Sequence, residues 1–192
     1  MKKGRNNNME RYKFLRLTSI GNRIVSNADY NCVWQIGQWQ RLIRRQPDLC
    51  AYGFHCSAKL FDALCYVAGE IVARVEVAGL CDKDADKEAW QEMRIIEAWH
   101  WRKEDSVALA IYAAELVIDF YEMEYPKDDR PRKAIEAAKT WLENPSSAAA
   151  AARAADAAAD AAADAAREEI FDKINDWMVA RLAELQRYEE AK

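Results

Sequence analysis

The chain has 192 residues, 51% of them apolar, enough for one large domain or two small ones with buried cores. Its net charge of −4 is unevenly spread: ten basic and two acidic residues up to Arg45 give +8, which leaves −12 for the remainder, a polarity that points to electrostatic contacts with partners. No run approaches the roughly 18 apolar residues of a membrane span, Met1 to Glu10 lacks the apolar core of a signal peptide, and Cys32, Cys50, Cys56, Cys65 and Cys81 form no C-x-x-C pair, so reduced thiols in a cytoplasm are expected.

All six glycines lie at or before Gly79. Glycine supplies the positive φ angles of tight turns, so its disappearance marks a change of architecture. The expected class is α+β: a flexible basic leader over residues 1–11, a small β-rich domain with one short helix over 12–103, and an all-α, alanine-rich domain over 104–192.

In chain order, Tyr12 to Leu17 reads as the first strand. Val33 to Gln35 and Trp39 to Ile43 follow, with a turn at Ile36-Gly37. Gly53 to Ser57 is the fourth strand. Ser57 then caps a short helix to Val67, with Leu60, Phe61, Leu64 and Cys65 on one face. Ile71 to Val77 alternates, with Ile71, Ala73, Val75 and Val77 on one side. Glu92 to Trp99 is the last strand. Trp99 and Trp101, on one face, are expected to pack the two halves together.

Beyond Lys103 the pattern is helical. Asp105 or Ser106 caps a helix to about Glu124, with Leu109, Tyr112, Leu116 and Phe120 recurring at three- and four-residue steps. Tyr125-Pro126 stops it. Asp128 or Asp129 caps the next helix, with Pro131 in its first turn, ending near Asn144-Pro145. Ser146 or Ser147 opens a third helix, from Ala148 to about Glu189, built largely from alanine, which loses no side-chain entropy on becoming helical.

Two resemblances follow from these segments. Tyr12-Lys13-Phe14-Leu15, Trp34, Gly37, Trp39, Gly53-Phe54-His55, Asp62-Ala63-Leu64, Ala73-Arg74-Val75-Glu76-Val77 and Met93-Arg94-Ile95-Ile96-Glu97 resemble an uncharacterised domain of phage and prophage proteins. In that family a small residue and then a cysteine often follow the Gly-Phe-His; here the order is Cys56-Ser57. Tyr125-Pro126, Asp128 to Ala138, Trp141-Leu142 and the Ala/Asp tract resemble the alanine-rich helical domain of immunity proteins. The pairing implies a phage or mobile-element accessory protein. It would bind and block a macromolecular target, in the manner of an inhibitor of a bacterial defence system (anti-CRISPR-like). The implied partner is a protein, including a nucleic-acid-binding host complex, and no membrane.

The candidate contact is an acidic ladder: Asp156, Asp160, Asp164, Glu168, Asp172 and Asp176. Steps of four residues set these groups about 6 Å apart, turning roughly 40° per step. Like charges at this spacing repel by a few tenths of a kcal/mol per pair. A solubilising face accounts for such a ladder; so does a negative strip that competes for a groove lined with Lys and Arg, and salt would weaken that contact steeply.

No catalytic residue, cofactor or metal is assigned. There is no phosphate-binding glycine loop and no G-x-S-x-G. His55 and His100 are the only histidines, and a zinc site would need Cys50, Cys81 or His100 to converge from afar. His55 and Cys56 should point to opposite faces of a strand. The chain is read as non-enzymatic, with two alternatives. The order of Tyr12, Gly53-Phe54-His55-Cys56-Ser57 and Glu97 resembles ADP-ribosyltransferase-like folds, which implies a nicotinamide dinucleotide site in the first domain with Glu97 at its centre. Lys2, Lys3, Arg5, Arg11, Lys13, Arg16, Arg41, Arg44 and Arg45, with Trp39 or Tyr30, would bind nucleic acid if they converged on one surface.

Overall fold

The computed structural model describes residues 10–18, 23–26, 32–42, 46–49, 51–67, 69–144 and 168–189. Among them the fold is α+β, an antiparallel sheet region with one short helix followed by a helical region. The chain divides into two compact units: Met1–Trp101 together with Val179–Lys192, and Arg102–Met178. The leader, the ends of several loops and residues 145–167 lie outside the described residues, and with them the expected caps Ser146 and Ser147.

In the first unit, seven strands run β1 (Arg11–Leu17), β2 (Ile24–Val25), β3 (Val33–Trp34), β4 (Gln40–Arg41), β5 (Phe54–Cys56), β6 (Ile71–Lys83) and β7 (Glu88–His100), with helix α1 (Leu60–Tyr66) between β5 and β6. They form one sheet in the order β3-β2-β1-β6-β7-β4, with β5 also paired to β7. β6 and β7 make a hairpin, each strand 13 residues long. It is longer than the sequence pattern suggests because Gly79 does not end β6. Its φ of 84° seats it in an irregularity between Ala78 and Cys81, where an extra residue bends a strand without terminating it. A Cβ at Gly79 would meet Gln91 Oε1 at 2.7 Å.

The bent hairpin lets the sheet return on itself. β1 pairs with β6 from Leu15↔Ile71 to Arg11↔Val75. β5 pairs with β7 at Phe54↔Trp90 and Cys56↔Glu88. The segment after β5 then reaches β1: Tyr12 N donates to Ser57 O at 2.9 Å and Ser57 N to Tyr12 O at 3.0 Å. Hydrogen bonds thus run a closed circuit, β1–β6–β7–β5–β1. This use of the Ser57 backbone replaces its expected role as helix cap; α1 starts at Leu60, with Lys59 in the cap position.

Strand alternation gives β1 two faces. Leu15 points to a core that includes Ile24, Trp34, Ile71, Ala73, Val75, Trp90, Met93 and Ile95. Phe14 points the other way and meets Trp101 edge-on at 5.6 Å. At the N-terminal end of β1 this inward face carries a charge: Arg11 Nε donates to Glu88 Oε2 at 2.6 Å, and both side chains are less than a tenth exposed. Glu88 also accepts from Trp90 Nε1 at 2.7 Å and Lys83 Nζ at 3.1 Å.

The chain's last described residues belong to this unit as well. His100 N donates to Gln186 O and Tyr188 N to Ala98 O, each at 2.9 Å, so residues 186–188 lie along the end of β7 as a short antiparallel addition. Tyr188 is 6% exposed and joins the core. The third predicted helix therefore does not run to Glu189. Its described part, α5 (Glu168–Arg181), ends where turns at 182–184 lead into the returning segment.

The helical unit contains α2 (Lys103–Glu115), α3 (Ile118–Glu124), α4 (Arg130–Glu143) and most of α5. The single helix expected to Glu124 is two, separated at Leu116-Val117. α2 starts earlier than expected, and Asp105 serves at its third position: its carboxylate accepts from Arg102 N at 2.9 Å. Val107, Ile111, Ala114, Ile118, Ile135, Ala138 and Trp141 form the core. Asp128 fixes the entry to α4, accepting from Arg130 N at 3.1 Å, Arg130 Nε at 2.8 Å and Tyr121 Oη at 2.9 Å; the Arg130 contacts hold its carboxyl well below the usual range. Ion pairs from Arg132 to Glu122 and Lys139 to Glu115, at 2.5 and 2.8 Å, lace α4 to α3 and α2.

Two expectations for stability follow. Burial alone raises the Glu88 carboxyl pKa, but hydrogen bonds from Arg11, Trp90 and Lys83 outweigh it and leave the pKa below its ordinary 4.5. A depressed folded-state pKa stabilises above the unfolded value and loses that contribution as pH falls through 4.5 and below. Glu88→Ala, which strands Arg11, should cost about 3–5 kcal/mol in urea denaturation, and Glu88→Gln should flatten the acid limb of the stability profile. Tyr188→Ala, which empties a core position, should cost about 3 kcal/mol in the same assay.

Candidate functional site

The residues expected to do chemistry are in the first unit. Gly53 has a φ of 152°, and a Cβ there would lie 2.9 Å from Ala89 Cβ on β7, so the glycine of the Gly-Phe-His motif is required by close packing. His55 turns its ring to the Leu49 carbonyl, 2.9 Å from Nε2. A carbonyl only accepts, which assigns the proton to Nε2. Burial, then the Lys13 charge, lowers its pKa, so the imidazole is neutral at pH 7. The Cys56 thiol enters the core, and burial followed by the nearby Glu88 charge pushes it up to about 12. A thiol held that far above neutrality is not a nucleophile. Among the described residues no group of three or more His, Cys, Asp or Glu side chains is placed to hold a metal.

The structure does bring Tyr12 and Glu97 near one another. Tyr12 pairs in register with Arg74, and Arg74 with Glu97. Yet Glu97 is committed: Arg74 Nη2 donates to one carboxylate oxygen and Arg187 Nη2 to the other, the latter at 2.6 Å. A carboxylate neutralised by two guanidinium groups is poorly suited to stabilise a cationic sugar centre. The Tyr12 hydroxyl has its pKa raised to about 12, first by burial and then by Glu10, so it acts as a hydrogen-bond donor.

Several of the described basic residues are taken up in separate contacts. Arg11 is buried on Glu88, and Lys13 Nζ donates to His55 O at 2.8 Å. Arg41 pairs with Glu92 at 2.9 Å, and Arg94 with Glu76. Burial lowers the Lys13 pKa. Lys2, Lys3, Arg5, Tyr30, Arg44, Arg45 and Cys50 lie outside the described residues.

In the helical unit, Asp156, Asp160 and Asp164 lie outside the described residues, as does the side chain of Glu168. The remaining ladder members, Asp172 and Asp176, are exposed on α5. Sequence reasoning did not single out α3. There Phe120 and Met123 are 57% and 73% exposed and Tyr125, just beyond, is 50% exposed. Asp119, Glu122 and Glu124 are interleaved with them. Phe120 counts among the recurring apolar positions of the expected helix, yet the stripe that packs the core is Val107, Ile111, Ala114 and Ile118, and Phe120 lies outside it.

The Cys56 environment has a direct check. After iodoacetamide treatment of the folded protein at pH 8, peptide mass spectrometry should find Cys56 unlabelled, and labelled once urea is added. Labelling without urea would contradict its burial.

Residues 22–104 match the family model of a domain of unknown function, DUF7666, and residues 100–176 match the model described as "Imm-5 like putative immunity protein". The two matches divide the chain much as the fold does. No curated protein and no solved structure was found to match. The N-terminal part of the chain is thus similar to DUF7666, and the helical part to the Imm-5 like putative immunity protein.

Proposed function

We propose that this chain is an accessory protein of a phage or mobile element that binds and occludes a macromolecular target, with a component of a bacterial defence system as the target class. The observation that carries this reading is the coincidence of the immunity-like match with a helical unit that exposes a mixed apolar and acidic surface. Phe120, Met123 and Tyr125 supply apolar contact, and Asp119, Glu122 and Glu124 border them, with Arg132 paired to the first two so that the edge keeps a net negative charge. Apolar anchors within a charged rim suit a protein partner whose own rim is basic. The acidic ladder, of which Asp172 and Asp176 are exposed, carries the same sign of charge and would favour a target that ordinarily holds nucleic acid. Among the described residues no helix is long and apolar enough to cross a membrane.

The test is capture of a host target by the purified protein across a salt series. Phe120→Ser/Met123→Ser alters exposed positions, so its melting temperature should stay close to that of the parent protein, while affinity for the captured target falls by about 30-fold or more. Neutralising the ladder (Asp→Asn at 156, 160, 164, 172 and 176, with Glu168→Gln) should weaken capture at low salt and flatten its salt dependence. No target at any salt, or a target retained equally by both variants, would overturn the reading.

A further inference from the structure

A cavity of about 230 Å³ opens in the first unit, lined by Glu10, Tyr12, Arg74, Trp99, Arg187 and, from the returning C-terminal segment, Val179, Leu182, Ala183 and Leu185. Its two sides differ chemically. One is apolar, from Trp99, Leu182 and Leu185. The other is a fork of hydrogen-bond donors. Tyr12 Oη donates to Glu10 Oε2 at 3.1 Å, and Arg74 Nη1 donates to Glu10 Oε1 at 2.7 Å. Each oxygen of one carboxylate is therefore met by a donor from a different strand, and the pairing of Tyr12 with Arg74 fixes the separation of the two donors.

Glu97 positions this fork. It binds Arg74 and Arg187 together, and Arg187 itself sits opposite Trp99 through a backbone bridge. The guanidinium groups are thus held at one rim by a carboxylate that lies 21% exposed beneath them. Glu10 is different. It precedes β1, and its side chain is 55% exposed. Exposed ion pairs of this kind are weak, so the fork is built by the strands while its occupant is held loosely.

We infer that this cavity is a binding site for a carboxylate joined to an aromatic or branched apolar group, and that Glu10 occupies the carboxylate position as an internal competitor. Fork and apolar wall are adjacent, as such an amphipathic ligand requires. The volume falls below the usual ~300–1,000 Å³ of drug-sized pockets, which suits a ligand of amino-acid size. The carboxylate belongs either to a free small acid or to the C-terminal residue of a peptide, because the fork recognises the group they share. The site shares no residue with the exposed α3 surface, so it stands or falls independently of the target-blocking reading.

The experiment titrates the full chain with N-acetyltryptophan, with its amide, and with a tetrapeptide ending in a free tryptophan carboxylate, by calorimetry and ligand-observed NMR. Glu10→Ala should bind N-acetyltryptophan or the tetrapeptide at least tenfold more tightly than the parent chain and should not bind the amide. Binding of the acetylated amino acid alone assigns the site to small acids; equal or tighter binding of the tetrapeptide assigns it to chain termini. In the Glu10→Ala background, Tyr12→Phe should weaken binding several-fold, and Ala183→Trp, an exposed change that fills the cavity, should abolish it without lowering the melting temperature. Equal affinity for acid and amide, no gain on removing Glu10, or binding that survives Ala183→Trp would overturn the assignment.

Discussion

The buried pair of Arg11 and Glu88 joins the first residue of β1 to the first residue of β7, where the circuit of strands closes. Removing two charges from water is costly unless hydrogen bonds satisfy them, and here Trp90 and Lys83 complete the shell of Glu88. The pair's contribution is therefore less a gain in net stability than a penalty on other arrangements. A one-residue slip of β1 against β6 would turn Arg11 outward and take from Glu88 its buried guanidinium partner. The neighbouring Tyr12–Ser57 hydrogen bonds depend on the same register, as does the cross-strand placement of Tyr12 beside Arg74.

Much of the architecture was legible in the sequence, because the signals were local. Alternation marked the first half of β6, Ile71 to Val77, and Tyr125-Pro126 marked the end of α3, whereas the glycines stop at Gly79 although all of β7 follows. What was hidden was non-local. Glu88 sits in a run of charged residues that reads as a turn, and only a partner 77 positions away makes it a buried strand residue. Gly79 reads as a strand end, and only the partner strand shows it to be a bend. Ser57 has the chemistry of a helix cap, yet its backbone is taken by Tyr12.

The candidate sites divide the same way. The acidic ladder is visible because four-residue spacing is a property of one helix. The exposed face of α3 was missed because two apolar stripes, one through Phe120 and one through Val107, Ile111, Ala114 and Ile118, share three- and four-residue spacing, and only the fold shows which is buried. The donor fork of Tyr12 and Arg74 has no sequence signature, since it depends on the pairing of β1 with β6. Glu97 was placed at the centre of a nicotinamide dinucleotide site, but its contacts are with two arginines, one of them 90 residues further along.

Residues 186–188 lie along β7 at Ala98–His100, although the chain makes the helical unit between the two. On a ribosome elongating at about 5–20 residues per second, that gap corresponds to roughly 4–17 s. Through that interval the end of β7 is an open edge, with Tyr188 missing from the core beside it. Open edges invite pairing with other chains, so the first unit is made early and completed late. The helices, whose contacts are close in sequence, are free to fold first.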